Sequence, residues 1–201
     1  MKFLKRVKTI EVKRCFVGSQ YIRGGSDKRR VPTFERNEFI KKQNQARKYV
    51  KRLSEKQLDR IIATEFKKRL MAYNDCDWHI GTINVNEVGV WKGAGGLPVY
   101  WTADSLKKTA VKVAWALSRP EKHRIRALKA IPRILKTSLD LLEQDPYSLP
   151  IVLPGGIGTA GRKGLKKMKG DIDDGCIRAI ALAISGKKNL KAYIGSVRHS
   201  V

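Results

Sequence analysis

The chain has 201 residues, 43 of them lysine or arginine and 18 aspartate or glutamate, so its formal charge is +25. Hydrophobic residues make up 42% of the chain, which excludes a wholly disordered protein, and no apolar run approaches the roughly 18 residues of a membrane span. Because so much positive charge repels itself, we expect a polyanionic partner, and nucleic acid is the commonest one. We expect DNA in preference to RNA, and no membrane partner.

The charge is uneven along the chain. Residues 1–70 carry a net +15, residues 71–150 carry +3 and residues 151–201 carry +7. A nearly neutral middle is typical of a globular core, whereas the two basic ends suit a polyanion. We therefore predict a basic N-terminal region over 1–73 with two amphipathic helices, and an α/β (or α+β) domain over 74–201 with a small mixed sheet and packed helices. A merely soluble basic protein and one that binds an anionic membrane surface are the alternatives.

The cysteines bear on the compartment. Cys15, Cys76 and Cys176 are an odd number without CxxC spacing, and the chain contains only three histidines. This composition lacks a local zinc motif and is typical of a reducing compartment, so we expect a cytoplasmic protein. The basic N-terminus lacks the apolar stretch of a signal peptide but leaves an organellar address open.

The N-terminal region is predicted to contain a strand at Thr9–Val12, then a basic cluster at 28–30, then two helices. The first helix covers about 35–53, and the second begins with a capping box formed by Ser54 and Gln57. We interpret the outward faces of these helices as a surface for nucleic-acid phosphates, the alternative being an ordinary solvated face. Their cations are Lys41, Lys42, Arg47, Lys48, Lys51, Arg52, Lys67 and Lys68.

The neutral middle predicts strands first and helices afterwards. Alternating β-branched residues over Trp78–Trp91 indicate one strand or a hairpin, and Leu97–Trp101 indicates a further short strand. A helix then runs to Leu117, and two short helices follow at about 121–131 and 133–144, each beginning at a proline. The tryptophans of this part are predicted to lie in the core, because few basic residues interleave with them, and the alternative is that they are platforms on which bases stack. They are Trp78, Trp91, Trp101 and Trp115.

The C-terminal part is predicted to run as strand, loop, turn, helix and strand. The first strand is Leu149–Leu153, the loop is 154–170 and the turn is 171–175. The helix covers Cys176–Ser185 and ends at a glycine, and Leu190–Ile194 forms the last strand.

The glycine-rich loop satisfies GxGxxG at 156–161, directly after a predicted strand. A dinucleotide site also needs a helix that begins at those glycines, and the charged, glycine-rich segment 162–170 does not suit one. We predict instead a basic loop that closes on phosphate, the alternative being a plain linker. Its cations are Arg162, Lys163, Lys166, Lys167 and Lys169.

Three carboxylates, Asp171, Asp173 and Asp174, follow this loop within four residues. Such a group can bind Mg²⁺ for phosphodiester cleavage, with Asp171 and Asp173 as the metal ligands. Asp-x-Asp followed by a helix that contains Arg178 loosely resembles the Holliday-junction resolvases, which implies a metal-dependent nuclease. The alternative is that Asp173 or Asp174 only complements the positive end of the helix dipole.

The start of the helix that follows has the composition of an anion site. Gly175 permits a close approach to the backbone, and the amides of Cys176, Ile177 and Arg178 point out of the helix N-terminus. The Arg178 guanidinium can add a bidentate contact to a phosphate. At this position the helix dipole favours the thiolate of Cys176, and the alternative is a small residue that packs the helix.

Segments around this turn resemble the ParB/sulfiredoxin superfamily over about residues 130–195. The matching residues are Pro150-Ile151-Val152, the run from Ile172 to Leu182, Gly186, and the run from Leu190 to Gly195. The resemblance implies a phosphate or nucleotide, CTP or ATP with Mg²⁺, at the turn formed by Gly175, Cys176, Ile177 and Arg178. It also implies Cys176 as the nucleophile by analogy with sulfiredoxin. Related domains serve in plasmid and phage DNA maintenance, and some are nucleases.

The main hypothesis is a nucleic-acid-binding protein whose ParB-like domain holds a phosphate or nucleotide at a helix N-terminus. One alternative is a metal-dependent DNA nuclease that uses the cluster Asp171, Asp173 and Asp174. The catalytic candidates are Asp173 and Asp174 and, through the resemblance to sulfiredoxin, Cys176. The other is a structural component that packages nucleic acid or belongs to a ribonucleoprotein. Whether the protein is an enzyme is left open.

Overall fold

Seven strands form one mixed sheet in the computed structural model, which describes residues 1–22, 35–119, 125–137, 139–159 and 163–198. The strands are β1 (Lys2–Val7), β2 (Cys76–Asn84), β3 (Val88–Val90), β4 (Asp104–Ser105), β5 (Ile151–Pro154), β6 (Gly170–Asp174) and β7 (Asn189–Val197). Their order across the sheet is β1-β2-β7-β5-β6-β3-β4. The pairs β5–β7 and β3–β6 are parallel, and the other neighbours are antiparallel.

Seven helices accompany the sheet in the described residues. They are α1 (Thr9–Ile22), α2 (Arg36–Arg52), α3 (Glu55–Asn74), α4 (Leu106–Leu117), α5 (Arg126–Thr137), α6 (Leu139–Gln144) and α7 (Cys176–Ile184). The predicted α/β class is therefore confirmed. Among these described helices none has the length and apolar character needed to cross a membrane.

The sheet separates two hydrophobic cores, because successive side chains of a strand point to opposite faces. On β5, Ile151 and Leu153 belong to the core beneath α1, α2 and α3, whereas Val152 belongs to the core beneath α4, α5 and α7. On β7, Tyr193 and Ile194 divide in the same way. The molecule is thus a three-layer α/β/α arrangement.

The boundary predicted at 73/74 falls between α3 and β2. Strand β1 lies at one edge of the same sheet and pairs with β2. Tyr73 of α3 packs edge-on against Trp78 of β2 at a ring-centroid distance of 5.3 Å. The N-terminal region therefore contributes β1 to the common sheet, and its helices share the core beneath α1, α2 and α3 with β2, β5 and β7.

The strand predicted at Thr9–Val12 is wrong, because Thr9 begins α1. The buried residues Val12, Cys15, Phe16 and Ser19 recur at the spacing of a helix, and this period outweighs the β-branched composition of the segment. The basic cluster at 28–30 lies outside the described residues.

In the middle of the chain, the segment Trp78–Trp91, predicted to be one strand or a hairpin, holds most of β2 and all of β3, which do not form a hairpin, and the strand predicted at Leu97–Trp101 is wrong. Strand β2 pairs with β1 and β7, whereas β3 pairs with β4 and β6, so the two are not neighbours. Val99–Trp101 is a single 3₁₀ turn. Pro132 lies inside α5 instead of starting a helix. Trp115 is 56% exposed and does not belong to the core predicted for it.

The local predictions at the helix ends are confirmed. Ser54 and Gln57 form the capping box, with Ser54 N donating to Gln57 Oε1 at 2.8 Å. Helix α7 begins at Cys176, and Gly186 follows its end with φ +92°. The segment predicted as a turn at 171–175 differs, because Gly170–Asp174 forms β6 in the middle of the sheet.

Candidate nucleic-acid interface

Helix α2 presents a row of cations to solvent. It buries Gln43, Ala46 and Val50, so the opposite side of the helix faces outward. That side carries four exposed cations, which we call the α2 basic face: Lys41, Lys48, Lys51 and Arg52. Within the described residues none of the four forms an ion pair. At 1.5 Å per residue the helix is about 25 Å long, so the row extends over several phosphates of a nucleic acid.

The other two α2 cations of the predicted set lie closer to the protein. Arg47 Nη2 lies 3.3 Å from Asp145 Oδ1, and Lys42 is partly buried. The buried Asp145 also accepts from Ser148 Oγ at 3.1 Å, and that hydroxyl accepts from Gln43 Nε2 at 3.1 Å. This chain of contacts fixes the rotation of α2 and so keeps the α2 basic face turned to solvent.

Two tyrosines lie beside this face. Tyr21 of α1 and Tyr49 of α2 stack with their ring centroids 4.9 Å apart and an interplanar angle of 26°, and both are partly exposed. The sequence analysis missed this pair, because the partner rings come from different helices. On α3, Lys67 and Lys68 are exposed as predicted for that face.

A buried ion pair joins α3 to β6. Arg69 Nε donates to Asp173 Oδ2 at 2.7 Å and Nη2 donates to Oδ1 at 3.2 Å, and the hydroxyls of Tyr73 and Thr159 also donate to this carboxylate. The Arg69 guanidinium lies 4.5 Å from the ring centroid of Phe16. Burial, followed by the charge of Asp173, raises the pKa of Tyr73 well above its usual value, so its hydroxyl keeps the proton that it donates.

Arg69 was missed by the sequence analysis, although a signal existed. Position 69 follows Ile62 by seven residues and Phe66 by three, so it lies on the apolar stripe of the helix. An arginine on such a stripe predicts a buried acidic partner, because an unpaired buried charge is very costly.

Asp171 holds the two ends of the glycine-rich loop together. Its Oδ2 accepts from Gly156 N at 3.1 Å and from Leu165 N at 2.6 Å. Burial raises the pKa of this carboxyl, and the two amide contacts oppose that shift. The cavity beneath the loop, lined by Trp91, Thr159, Lys163 and other residues, measures about 10 Å³. That volume is about one water molecule, far below a nucleotide.

The cations of the loop have different surroundings. Lys163, Lys166, Lys167 and Lys169 are all exposed. Lys169 Nζ lies 2.6 Å from Glu87 Oε1, and this hydrogen bond lowers the pKa of Glu87 to about 2. Arg162 lies outside the described residues. The loop thus adds exposed positive charge but is tied to the sheet by Asp171 and Glu87.

The three carboxylates of the predicted metal site have separate partners. Asp171 and Asp173 are bound by the loop and by Arg69, respectively, as described above. Asp174 Oδ2 accepts from Ser19 Oγ and from Arg178 Nη2, both at 2.8 Å. In the part of the chain that the structure describes, no group of three His, Cys, Asp or Glu side chains is placed to hold a metal ion.

At the start of α7, Arg178 is engaged by the protein itself. Gly175 adopts φ +84°, and a Cβ there would lie 2.9 Å from Arg178 Nη2, so the guanidinium packs over this glycine. Arg178 also pairs with Asp174 and is mostly buried. The backbone amides of Cys176, Ile177 and Arg178 occupy the first turn of the helix, as predicted. A phosphate at this turn would therefore share Arg178 with Asp174.

Cys176 has the surroundings of a packing residue. It is 6% exposed, belongs to the core beneath α4, α5 and α7, and its Sγ donates to Ile172 O at 3.3 Å. Cys15 and Cys76 are buried as well. Burial raises the pKa of Cys76 to about 11 and raises the pKa of Cys15 further.

The fold and its surface define a strongly basic three-layer α/β protein. No protein-family model, curated protein or solved structure matches the chain.

Proposed function

We propose that this protein binds nucleic acid, with DNA as the first ligand to test, through the α2 basic face. The observation that carries the proposal is the row of four exposed cations, Lys41, Lys48, Lys51 and Arg52, without an acidic partner among the described residues. Helix α2 has seven basic side chains and one acidic one. Phosphate neutralisation by such a row releases counterions and gives affinity without base recognition.

The arrangement beneath the α2 basic face supports the proposal, because it holds the helix in one orientation. Arg47 pairs with Asp145, and Val50 and Ala46 are fully buried. The neighbouring helix α3 is anchored by the ion pair between Arg69 and Asp173. A rigid row of cations loses less conformational entropy on binding than a flexible basic tail would.

The stacked tyrosines add a second kind of contact. Tyr49 follows Lys48 on α2, and its ring stacks on Tyr21 of α1. Partly exposed aromatic rings beside cations are typical of surfaces that meet nucleic acid. We infer that this pair lies at the margin of the interface.

The nucleotide site at Gly175–Arg178 and magnesium-dependent cleavage by Asp171, Asp173 and Asp174 stay predictions from the sequence. Packaging of nucleic acid also stays an alternative, and it differs from the proposal in requiring no particular face of the protein.

The test compares two variants whose net charge is reduced by the same amount. The first, K41Q/K48Q/K51Q/R52Q, removes the α2 basic face. The control, K129Q/K136Q/K188Q/K191Q, removes four exposed lysines from other parts of the molecule. Fluorescence anisotropy with a labelled duplex of about 20 base pairs measures the affinity of each protein.

We expect the first variant to bind at least about tenfold more weakly than the control, because each cation replaced on this face takes away a favourable interaction with a phosphate. An equal decrease in both variants would contradict the proposed surface and favour bulk charge compensation. Circular dichroism of both variants checks that they are folded.

A further inference from the structure

Helix α4 exposes apolar and basic residues together on its outer side. Its buried residues Leu106, Ala110 and Val113 face the core of the second layer. On the opposite side, Trp115 is 56% exposed and Val111 is exposed as well. Because Val111 and Trp115 are four residues apart, they are neighbours on the helix surface.

The 3₁₀ turn before α4 extends this exposed area. Tyr100 is 69% exposed, and Val99 next to it is exposed too. Lys112 Nζ donates to Tyr100 O at 3.0 Å, so the turn is held against the outer side of α4. We call Val99, Tyr100, Val111 and Trp115 the Trp115 patch. Large exposed apolar side chains on α4 and on the turn held to it by Lys112 indicate an interaction surface.

The cations around the Trp115 patch indicate which kind of partner it suits. The Arg119 guanidinium lies 5.2 Å from the ring centroid of Trp115. Lys107 and Lys108 are exposed at the start of α4, and Lys112 lies beside Tyr100. Lys108 forms an ion pair with Asp104, with Lys108 Nζ 3.4 Å from Asp104 Oδ1. The patch is therefore aromatic with a basic border, which complements an anionic ligand with flat apolar groups.

We propose that the Trp115 patch is a base-stacking platform for single-stranded nucleic acid. The bases stack on Trp115 and Tyr100, while Lys107 contacts the backbone phosphates, joined by Lys108 and Lys112 when these exchange Asp104 and Tyr100 O for phosphate. Exposed aromatic rings combined with cations are the means by which proteins bind single strands without sequence preference. The inference rests on the proposed function for the class of ligand, but α4 and α2 lie in different layers, so the two surfaces are distinct.

The experiment measures the binding of a labelled single-stranded oligonucleotide of about 15 thymidines by anisotropy and by tryptophan fluorescence. Trp115→Ala is expected to bind this probe about fivefold or more weakly, the effect of losing one stacked base. Trp115→Phe retains a ring and is expected to stay close to the wild type. Met71→Ala is the matched control, because Met71 is also 56% exposed but lies on α3. The oligonucleotide is expected to quench the tryptophan fluorescence of the wild type and to quench that of Trp115→Ala less.

The outcomes separate this inference from the proposed function. If Trp115→Ala loses single-strand affinity while K41Q/K48Q/K51Q/R52Q keeps it, the platform is supported and the α2 basic face is not its site. If the α2 variant loses duplex affinity while Trp115→Ala keeps full single-strand affinity, the proposed function is supported and the platform is overturned. A change in self-association of Trp115→Ala by sedimentation, without a change in single-strand binding, would identify a protein contact and would also overturn the platform.

Discussion

Arg69 and Asp173, 104 residues apart in the chain, form a bidentate ion pair at distances of 2.7 and 3.2 Å in the interior of the protein. Arg69 is 4% exposed, and its guanidinium also lies between the rings of Phe16 and Phe66. The pair connects α3 to a central strand of the sheet. It therefore couples the basic helical region to the rest of the fold.

Replacing one partner of this pair is expected to destabilise the protein severely. Arg69→Met leaves Asp173 buried without its countercharge, and the loss of a buried partner costs about 3–5 kcal/mol. The unfolding free energy from urea denaturation measures the effect. Lys68→Met, at an exposed position next in the chain, is the control and is expected to change stability by less than about 0.5 kcal/mol. Similar stabilities for the two variants would contradict the account of Arg69.

The glycines at the two ends of α7 are expected to differ in their tolerance of alanine. Both have positive φ, so alanine costs about 1–2 kcal/mol at either position. At Gly175 the new Cβ would also lie 2.9 Å from Arg178 Nη2 and 3.1 Å from Pro150 Cα, whereas at Gly186 it meets nothing within 4 Å. Thermal unfolding is therefore expected to show a larger decrease for Gly175→Ala than for Gly186→Ala. The opposite ranking would mean that Arg178 does not pack over Gly175.

The three cysteines are expected to be unreactive in the native protein. All three are buried, and burial raises the pKa of Cys76 to about 11. Since only the thiolate reacts, alkylation by iodoacetamide at about pH 8 is expected to be at least about 100-fold slower than for an unfolded thiol. Mass spectrometry after a short pulse identifies the labelled positions. Rapid labelling of Cys176 would favour the nucleophile predicted from the sequence over the packing role seen in the fold.

The stability of the protein is expected to depend on the ionisation of Asp171. Burial raises the pKa of this carboxyl in the folded state, so its contribution is fully present below the unfolded pKa of about 4 and is lost as the pH rises through the folded pKa. Asp171→Asn keeps an oxygen for the amides of Gly156 and Leu165 but cannot ionise. Its stability relative to the wild type is therefore expected to increase as the pH rises above about 4. Urea unfolding at several pH values measures this difference, and a difference that stays constant with pH would contradict the assignment.

Features that depend on local spacing could be predicted from the sequence. Helix α2 and its cations follow from a pattern within 17 residues, and the capping box of α3 follows from Ser54 and Gln57. The exposure of Trp115 was within reach of the same reasoning, because position 115 does not lie on the stripe formed by Leu106, Ala110 and Val113. The predicted core position of Trp115 followed from the hydrophobic character of tryptophan, whereas its place on the helix indicates an exposed side chain.

Features that depend on distant partners could not be predicted. Strand β6 lies in a segment predicted to be a turn, and it carries three carboxylates, a side chain that is depleted in strands. Asp171 is satisfied by the loop just before the strand, but Asp173 is satisfied by Arg69 of α3 and Asp174 by Ser19 of α1, which lie 104 and 155 residues away in the sequence. The stacked pair of Tyr21 and Tyr49 was missed for the same reason.

The most direct test of nucleic-acid binding is the affinity for duplex DNA as a function of salt concentration. The account predicts clear binding at about 50 mM salt and a steep linear decrease of log affinity with log salt. For K41Q/K48Q/K51Q/R52Q the slope is expected to be smaller by about 3.6, which is about 0.9 for each of the four phosphates that the variant no longer neutralises. Absence of binding to both DNA and RNA at low salt, or an unchanged slope in this variant, would contradict the account.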